Sequence, residues 1–190
     1  MFRDIERVLI DQGVIAARVR ALGQEIAEDL ARDQRRRREN GTDPGRVVLV
    51  PVLTGAMVFG ADLIRQMPLK MSIDVVAVSS YPGRSVASKG ASIRGELPQN
   101  LGGTHVLVVD DILDSGQTLA VVRSLICEQE PASIRLCVLL EKKKPGEPSL
   151  VKPEYVGFEI PDEFVVGYGL DYNGFYRNYP DIAVLKHEAM

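Results

Sequence analysis

The stretch His105-Val-Leu-Val-Val-Asp-Asp-Ile-Leu-Asp-Ser-Gly-Gln-Thr-Leu119 decides the fold class. His105 to Val109 shows no polar alternation, which predicts a strand covered on both faces, and such strands belong to largely parallel α/β sheets. The run stops at two adjacent acids, Asp110 and Asp111, and a helix is predicted near Gln117 to Glu128. Ligands of open α/β sheets bind beyond the carboxyl ends of the strands, so the acids are expected at the mouth of a site rather than in the core.

Asp114-Ser-Gly-Gln-Thr118 opens that helix. Free backbone N–H groups, the hydroxyls of Ser115 and Thr118 and a flexible Gly116 can together surround a phosphate. An ordinary N-cap by Asp114 or Ser115 is the competing reading. A diacid beside a phosphate seat is contradictory unless something neutral lies between them. A ribose resolves the conflict, with its 5′-phosphate in the turn and its 2′- and 3′-hydroxyls donating to Asp110 and Asp111 in charge-assisted hydrogen bonds. The expected ligand is a phosphorylated pentose.

Outward from this stretch, Arg7 to Ile10 is short and apolar. Asp11 then offers an N-cap to a helix whose apolar positions Ile15, Val19, Leu22, Ile26 and Leu30 recur at threes and fours. Arg32 to Gly45 carries Arg35 to Arg38, taken as a solvated face, and ends in Asn-Gly-Thr-Asp-Pro-Gly, turn formers that stop the helix and make a loop. Val47 to Val52, a Thr-Gly turn and a helical pattern through Met57, Ala61, Leu63 and Ile64 make a strand-turn-helix unit. Met71 to Val78 and Ile134 to Leu140 add further strands. Ser79 to Thr104 spans 26 residues rich in Gly, Ser and Pro. A segment of that length is either a functional flap or disordered. From Pro145 onward, Tyr155 to Ile160, Phe164 to Tyr168 and Ile182 to Leu185 are expected as small strands of a cap.

The chain has 190 residues, 45% hydrophobic and 26% charged, which suits one domain with a sizeable core and excludes a disordered chain. With 23 Lys and Arg against 26 Asp and Glu, the net charge of −3 supplies no general attraction to nucleic acid or anionic bilayers. No apolar run approaches the roughly 18 residues of a membrane span. The start, Met-Phe-Arg-Asp-Ile-Glu, is unlike a signal peptide, so a cytoplasmic location is expected. Cys127 and Cys137 lack metal-ligand spacing and are expected to be buried free thiols. Neither His105 nor His187 has a ligand partner at metal spacing; both are taken as structural or exposed.

Val-Val-Asp-Asp-Ile-Leu-Asp-Ser-Gly-Gln-Thr-Leu resembles the phosphoribosyl-pyrophosphate signature of type I phosphoribosyltransferases. Leu-Thr-Gly-Ala-Met-Val-Phe-Gly-Ala-Asp-Leu at 53–63, Ser80-Tyr81, Leu-Leu-Glu-Lys at 139–142 and Ile-Pro-Asp-Glu-Phe-Val-Val-Gly-Tyr-Gly-Leu-Asp-Tyr-Asn at 160–173 are similar to the hypoxanthine-guanine branch. The likeness runs from about residue 5 to 186. It implies a mostly parallel twisted sheet flanked by helices, with a core over about 40–145, a hood from 1–15 and 146–190, and a flexible active-site loop over 79–104.

The resemblance also implies roles. Asp110, Asp111, Ser115, Gly116, Gln117 and Thr118 would hold the ribose phosphate, and Leu53, Thr54, Gly55, Ser80, Tyr81 and Arg177 the pyrophosphate. A non-proline cis peptide often found in the first of these loops would fall at Leu53-Thr54. Asp114 would face N7 of the purine as general base or acid. Lys142 would donate to the 6-oxo group, which favours hypoxanthine or guanine over adenine; by itself, the Lys142 to Lys144 run reads as a solvated turn. Phe164 would stack on the base, although a core aromatic is an equal reading of the residue alone. Val165 would meet the purine edge with main-chain groups, and Asp171 would lie beside it. Mg²⁺ is implied on Asp110, Asp111 and Asp171, all hard oxygen donors. Relatives often carry a basic residue at Thr54 and usually Glu at Asp110. Pyrophosphate contact is therefore expected to lean on backbone N–H groups and Mg²⁺.

The implied reaction is purine salvage: N9 of hypoxanthine or guanine displaces pyrophosphate from phosphoribosyl pyrophosphate, giving IMP or GMP. A homodimer or homotetramer is implied, with no nucleic-acid or membrane partner. A xanthine-preferring relative and an RNA-binding regulator on the same fold are the alternatives. A response-regulator receiver domain fails on order, because its paired acids follow the first strand.

Overall fold

The computed structural model of the chain describes residues 3–79, 92–94, 98–144, 146 and 148–189. Among the described residues there are ten strands and three α-helices. β1 (Ile5–Ile10) leads into α1 (Gln12–Glu39), β2 (Val47–Leu53) into α2 (Ala56–Ile64), and β3 (Met71–Ile73), β4 (Val76–Ser79) and β5 (Ser92–Arg94) follow. β6 (His105–Leu113) then leads to α3 (Gln117–Cys127), β7 (Ser133–Lys143), β8 (Tyr155–Pro161), β9 (Val165–Val166), β10 (Ile182–Leu185) and a 3-10 turn over His187–Ala189.

The main sheet has seven strands in the order β5-β4-β2-β6-β7-β8, with β3 also on β2. All pairs are parallel except β4 with β5. The apolar runs are continuous because alternate residues serve opposite layers. Val47 and Leu49 of β2, Leu107 and Val109 of β6 and Cys137 and Leu139 of β7 pack with α1 and α2. Their neighbours Val48, Val50, Val106, Val108, Leu136 and Val138 pack with Leu119, Val122 and Ile126 of α3. A smaller antiparallel sheet, β1-β10-β9, forms the hood.

Asp11 caps α1 as expected, its Oδ1 accepting from the Gly13 N–H at 2.7 Å. The helix runs through the arginines to Glu39 and ends at Asn40, so the loop begins only at the turn formers. Arg18 of α1 donates to the carbonyls of Val156 at 2.6 Å and Gly157 at 2.9 Å, covering the open edge of β8. His105, at the start of β6, lies between the Pro44 carbonyl (Nε2, 2.9 Å) and the Ser133 hydroxyl (Nδ1, 2.8 Å). A carbonyl can only accept, so Nε2 carries the proton and Nδ1 accepts from Ser133.

Several expectations are corrected. Tyr155–Pro161 joins the main sheet beside β7 rather than the cap. Parallel pairing needs a crossover that the tail's short apolar runs do not advertise. Met71 to Val78 divides into β3 and β4 around Asp74, whose N–H bonds the Leu49 carbonyl. The 79–104 segment contains β5; residues 80–91 and 95–97, including Ser80 and Tyr81, lie outside the described residues. Cys137 is buried but Cys127, on the last turn of α3, is exposed. Burial pushes the Cys137 thiol far up from its ordinary range, which keeps it protonated and inert. His105 is structural and His187 exposed. Among the described residues no helix is long and apolar enough to cross a membrane.

Candidate active site

The sheet gathers its chemistry at one end. The loop after β2, the last residues of β6, the turn before α3 and the ends of β7 and β8 all lie at the carboxyl ends of parallel strands. β6 runs on to Leu113, so Asp110 and Asp111 stand within it instead of terminating it. Asp110 is 7% exposed, inside the core's rim rather than at an open mouth. Its Oδ1 accepts from the Asp111 N–H at 3.0 Å, and Asp111 Oδ1 accepts from the Ile112 N–H at 2.9 Å. Burial raises Asp110 well above the usual carboxylate range, and the neighbouring Asp111 charge raises it further. Burial also raises Asp111, against opposing hydrogen bonds and the more distant Arg177 cation. Two acids are thus held where ionisation is expensive, and hydroxyl donors or a cation would relieve them.

Leu53-Thr54 is a cis peptide. The next residue, Gly55, has to be glycine: a Cβ there would lie 1.9 Å from Asp111 Oδ2. Gly169 of the hood, at φ +104°, closes on the same loop, since its Cβ would meet the Gly55 carbonyl at 2.3 Å. Arg177 fixes this junction. Its backbone carbonyl accepts from the Gly169 N–H at 3.0 Å, its guanidinium donates to the Gly169 carbonyl, and Nη2 lies 2.6 Å from Asp171 Oδ1. Asp171 Oδ2 accepts from the Gly174 N–H at 2.7 Å. Leu53, Thr54, Gly55, Asp111, Asp171 and Arg177 therefore form one neighbourhood around the β2 loop.

The turn before α3 is held from behind. Gly116 at φ +80° is the N-cap residue and makes no side-chain cap, so neither Asp114 nor Ser115 plays the ordinary capping part, although Ser115 Oγ makes a long 3.4 Å contact with the Gln117 N–H. A Cβ on Gly116 would meet Ser149 Oγ at 2.4 Å, and the Leu150 N–H donates to the Ser115 carbonyl at 3.1 Å. The 149–151 loop thus presses the turn into shape while Gln117 and Thr118 begin the helix. This backing is invisible in the sequence, because a proline-rich connection brings it there.

Beside Asp114 stand two lysines. Lys142, near the end of β7 and 12% exposed, has Nζ at 3.7 Å from Asp114 Oδ2 and 3.2 Å from Asp162 Oδ1. Lys144 Nζ is 2.5 Å from Asp114 Oδ1. Phe164 is 42% exposed, so it is a rim aromatic and not a core one; Tyr172 meets it edge-on at 5.5 Å and 83°. Val165 is buried in β9. Asp162, Lys144, Gly169 and Tyr172 are additions to the expected set. Asp162 and Lys144 meet only through the β7–β8 register, where Lys143 pairs with Pro161.

Comparison with known proteins agrees with this arrangement. Residues 16–173 match the phosphoribosyl transferase domain. The hypoxanthine-guanine phosphoribosyltransferase of Streptococcus pneumoniae is 38% identical over 186 residues, 98% of this chain and 96% of that one. The hypoxanthine phosphoribosyltransferase of Escherichia coli is 39% identical over 175 residues, 92% of each. A crystal structure of the Staphylococcus aureus hypoxanthine phosphoribosyltransferase superposes with a TM-score of 0.83 at 34% identity, covering 98% of this chain and 94% of that one. Motif, sheet order and hood therefore lead to one assignment: the chain belongs to the type I phosphoribosyltransferase family, in its hypoxanthine-guanine branch.

Proposed function

We propose that this chain transfers the 5-phosphoribosyl group of phosphoribosyl pyrophosphate to N9 of hypoxanthine or guanine, giving IMP or GMP and pyrophosphate. The reading is carried by one juxtaposition. A diacid, buried at Asp110 and half-buried at Asp111, and a glycine-opened turn flank Asp114 in the chain, and Lys142 Nζ lies 3.7 Å from the Asp114 carboxylate. The first pair suits a ribose 5-phosphate; the second suits the N7 and 6-oxo edge of a purine. Relatives named hypoxanthine-guanine phosphoribosyltransferase support the same reaction.

In this reading Asp110 and Asp111 accept from the ribose hydroxyls, and the 115–118 turn takes the 5′-phosphate. The Gly55 loop and Arg177 face the pyrophosphate. Phe164 covers the base and Val165 offers main-chain groups to its edge. Lys142 donates to the 6-oxo group, and Asp114 exchanges a proton at N7 as the N9–C1′ bond forms. An ammonium facing the 6-position leaves adenine, with an amino group there, without a matching acceptor.

Asp110, Asp111 and Asp171 fit Mg²⁺, since all three offer hard oxygen. Such an ion would take its remaining ligands from substrate phosphates and water. When bound, Mg²⁺ offsets the charge that pyrophosphate gains as it leaves. A homo-oligomeric assembly belongs to this proposal too.

Steady-state kinetics with hypoxanthine, guanine, xanthine and adenine, with Mg²⁺ and with EDTA, test it. Turnover of hypoxanthine or guanine, dependent on Mg²⁺ and absent with adenine, is expected. Turnover of xanthine above both would move the chain to a xanthine-preferring activity, and turnover of none would end the proposal.

A further inference from the structure

The 141–144 stretch reads Glu-Lys-Lys-Lys. Side chains of extended backbone alternate faces. Lys143 accordingly turns to Glu141 at 2.9 Å and Glu159 at 3.1 Å. Lys142 and Lys144 project to the other side together and meet Asp114 and Asp162. Lys144 Nζ is 2.5 Å from Asp114 Oδ1 and 3.9 Å from Asp162 Oδ1. Lys142 Nζ is 3.2 Å from Asp162 Oδ1 and 3.7 Å from Asp114 Oδ2. Four charges of alternating sign form a closed ring, and its edges are unequal. The tight contacts are Lys144 with Asp114 and Lys142 with Asp162. The looser edges are Lys142 with Asp114 at 3.7 Å and Lys144 with Asp162 at 3.9 Å, and the first of these is where the proposed function seats the purine.

That inequality has a mechanical meaning. An ammonium and a carboxylate left alone at this range close to a contact of about 2.7–2.9 Å. A purine would then have to break the pair before it could bind. Here each partner is held from outside: Lys144 grips Oδ1 of Asp114, and Asp162 draws Lys142 the other way. Oδ2 of Asp114 and Nζ of Lys142 are left apart and facing each other. Asp114 and Asp162 are 45% and 51% exposed against 12% and 26% for the two lysines, so the acids present the outer rim of the ring and the cations its floor.

We propose that Lys144 is a positioning residue of the base site, acting through Asp114 to keep the Lys142–Asp114 edge open for the purine. The inference rests on the roles given to Asp114 and Lys142 above. It extends to a residue to which that function gives no contact with the sugar or the base.

The test compares wild type, Lys144→Met, Lys144→Gln, Lys144→Arg, Asp114→Asn and the double variant Lys144→Met/Asp114→Asn, with melting curves as the check on folding. Lys144→Met and Lys144→Gln should lower kcat/KM for hypoxanthine about tenfold, and KM for phosphoribosyl pyrophosphate should stay within about twofold. Lys144→Arg should recover most of the loss. In the Asp114→Asn background, Lys144→Met should cost less than about twofold more, because there is no carboxylate left to hold.

Three results overturn the proposal: wild-type kinetics in both neutral variants, an equal loss in Lys144→Arg, or an undiminished loss in the Asp114→Asn background. A wild-type enzyme that makes no nucleotide from hypoxanthine removes the underlying function as well. Active wild type with unaffected Lys144 variants removes only the role of Lys144.

Discussion

Asp114 is 45% exposed yet held by two ammonium groups, an arrangement that keeps a carboxylate open to a ligand while fixing its direction. If it exchanges the purine proton, Asp114→Asn should cut kcat by roughly 10² to 10⁴ with little change in melting temperature. Full turnover in that variant would take the role away. Gly55 admits a harsher test. A methyl there would occupy the space of Asp111 Oδ2, so either the carboxylate or the loop has to move. Gly55→Ala should raise KM for phosphoribosyl pyrophosphate about tenfold or more and cost about 1–3 kcal/mol of stability from overpacking. Unchanged kinetics would show that the close approach is dispensable. At this scale the sequence is informative where neighbours in the chain are neighbours in space, as from Asp110 to Thr118. It is silent where they are not. Lys144 reads as one more solvated lysine until the register of β7 and β8 sets Asp162 beside it, and Gly169 looks like an ordinary turn residue until its φ and the Gly55 carbonyl are known.

Strands and helices were legible from their two periods, and the departures have physical causes. Continuous apolar runs identified β2, β6 and β7 because two helical layers claim alternate residues. α1 outlasts its apolar stripe by more than two turns, since arginine is a good helix former and nothing breaks the backbone before Asn40. β8 was misplaced because burial beside β7 depends on a crossover and on Arg18, which arrives from α1 to cover its edge. One element junction carries a pH dependence. His105 joins the loop after α1 to the starts of β6 and β7, and burial holds its imidazole below the ordinary value of 6.5. Above that value both folded and unfolded chains keep it neutral, and it adds no slope. As pH falls below it, the unfolded chain takes the proton first, so stability declines until the folded imidazole also titrates. His105→Gln, which retains an N–H for Pro44, should flatten the fall in melting temperature between about pH 6.5 and 5. Parallel curves for the two proteins would contradict this.

At the scale of the whole molecule, the main sheet carries Asp110 and Asp111, to which the proposed function gives the ribose, and the hood sheet carries Val165, to which it gives the purine edge. The two meet where Gly169 lies against Gly55 under the Arg177 guanidinium. The hood expected over 146–190 includes Tyr155–Pro161, which pairs with β7 in the main sheet instead. Because desolvation raises both Asp110 and Asp111, a ligand that supplies hydroxyl donors and a divalent cation should favour the folded state strongly. Phosphoribosyl pyrophosphate with Mg²⁺ at a hundredfold excess over Kd should add about 2.7 kcal/mol, or roughly 5–10 °C in Tm. EDTA should abolish most of the rise; an undiminished shift would show that the sugar phosphate is held without the ion.

The hood sheet also dictates when the protein can become an enzyme. β9, which precedes the Gly169 junction and contains Val165, pairs among the described residues only with β10, and β10 in turn is flanked by β1 from the opposite end of the chain. During synthesis all described strands of the main sheet have left the ribosome once β8 is made, but β9 has no partner strand among the described residues until residues 182–185 emerge. A nascent chain can thus complete the sheet that carries Asp110 and Asp111 while Gly169 and Arg177, which close on the Gly55 loop, are still unmade, so the proposed site is whole only after the β9–β10 pair has formed.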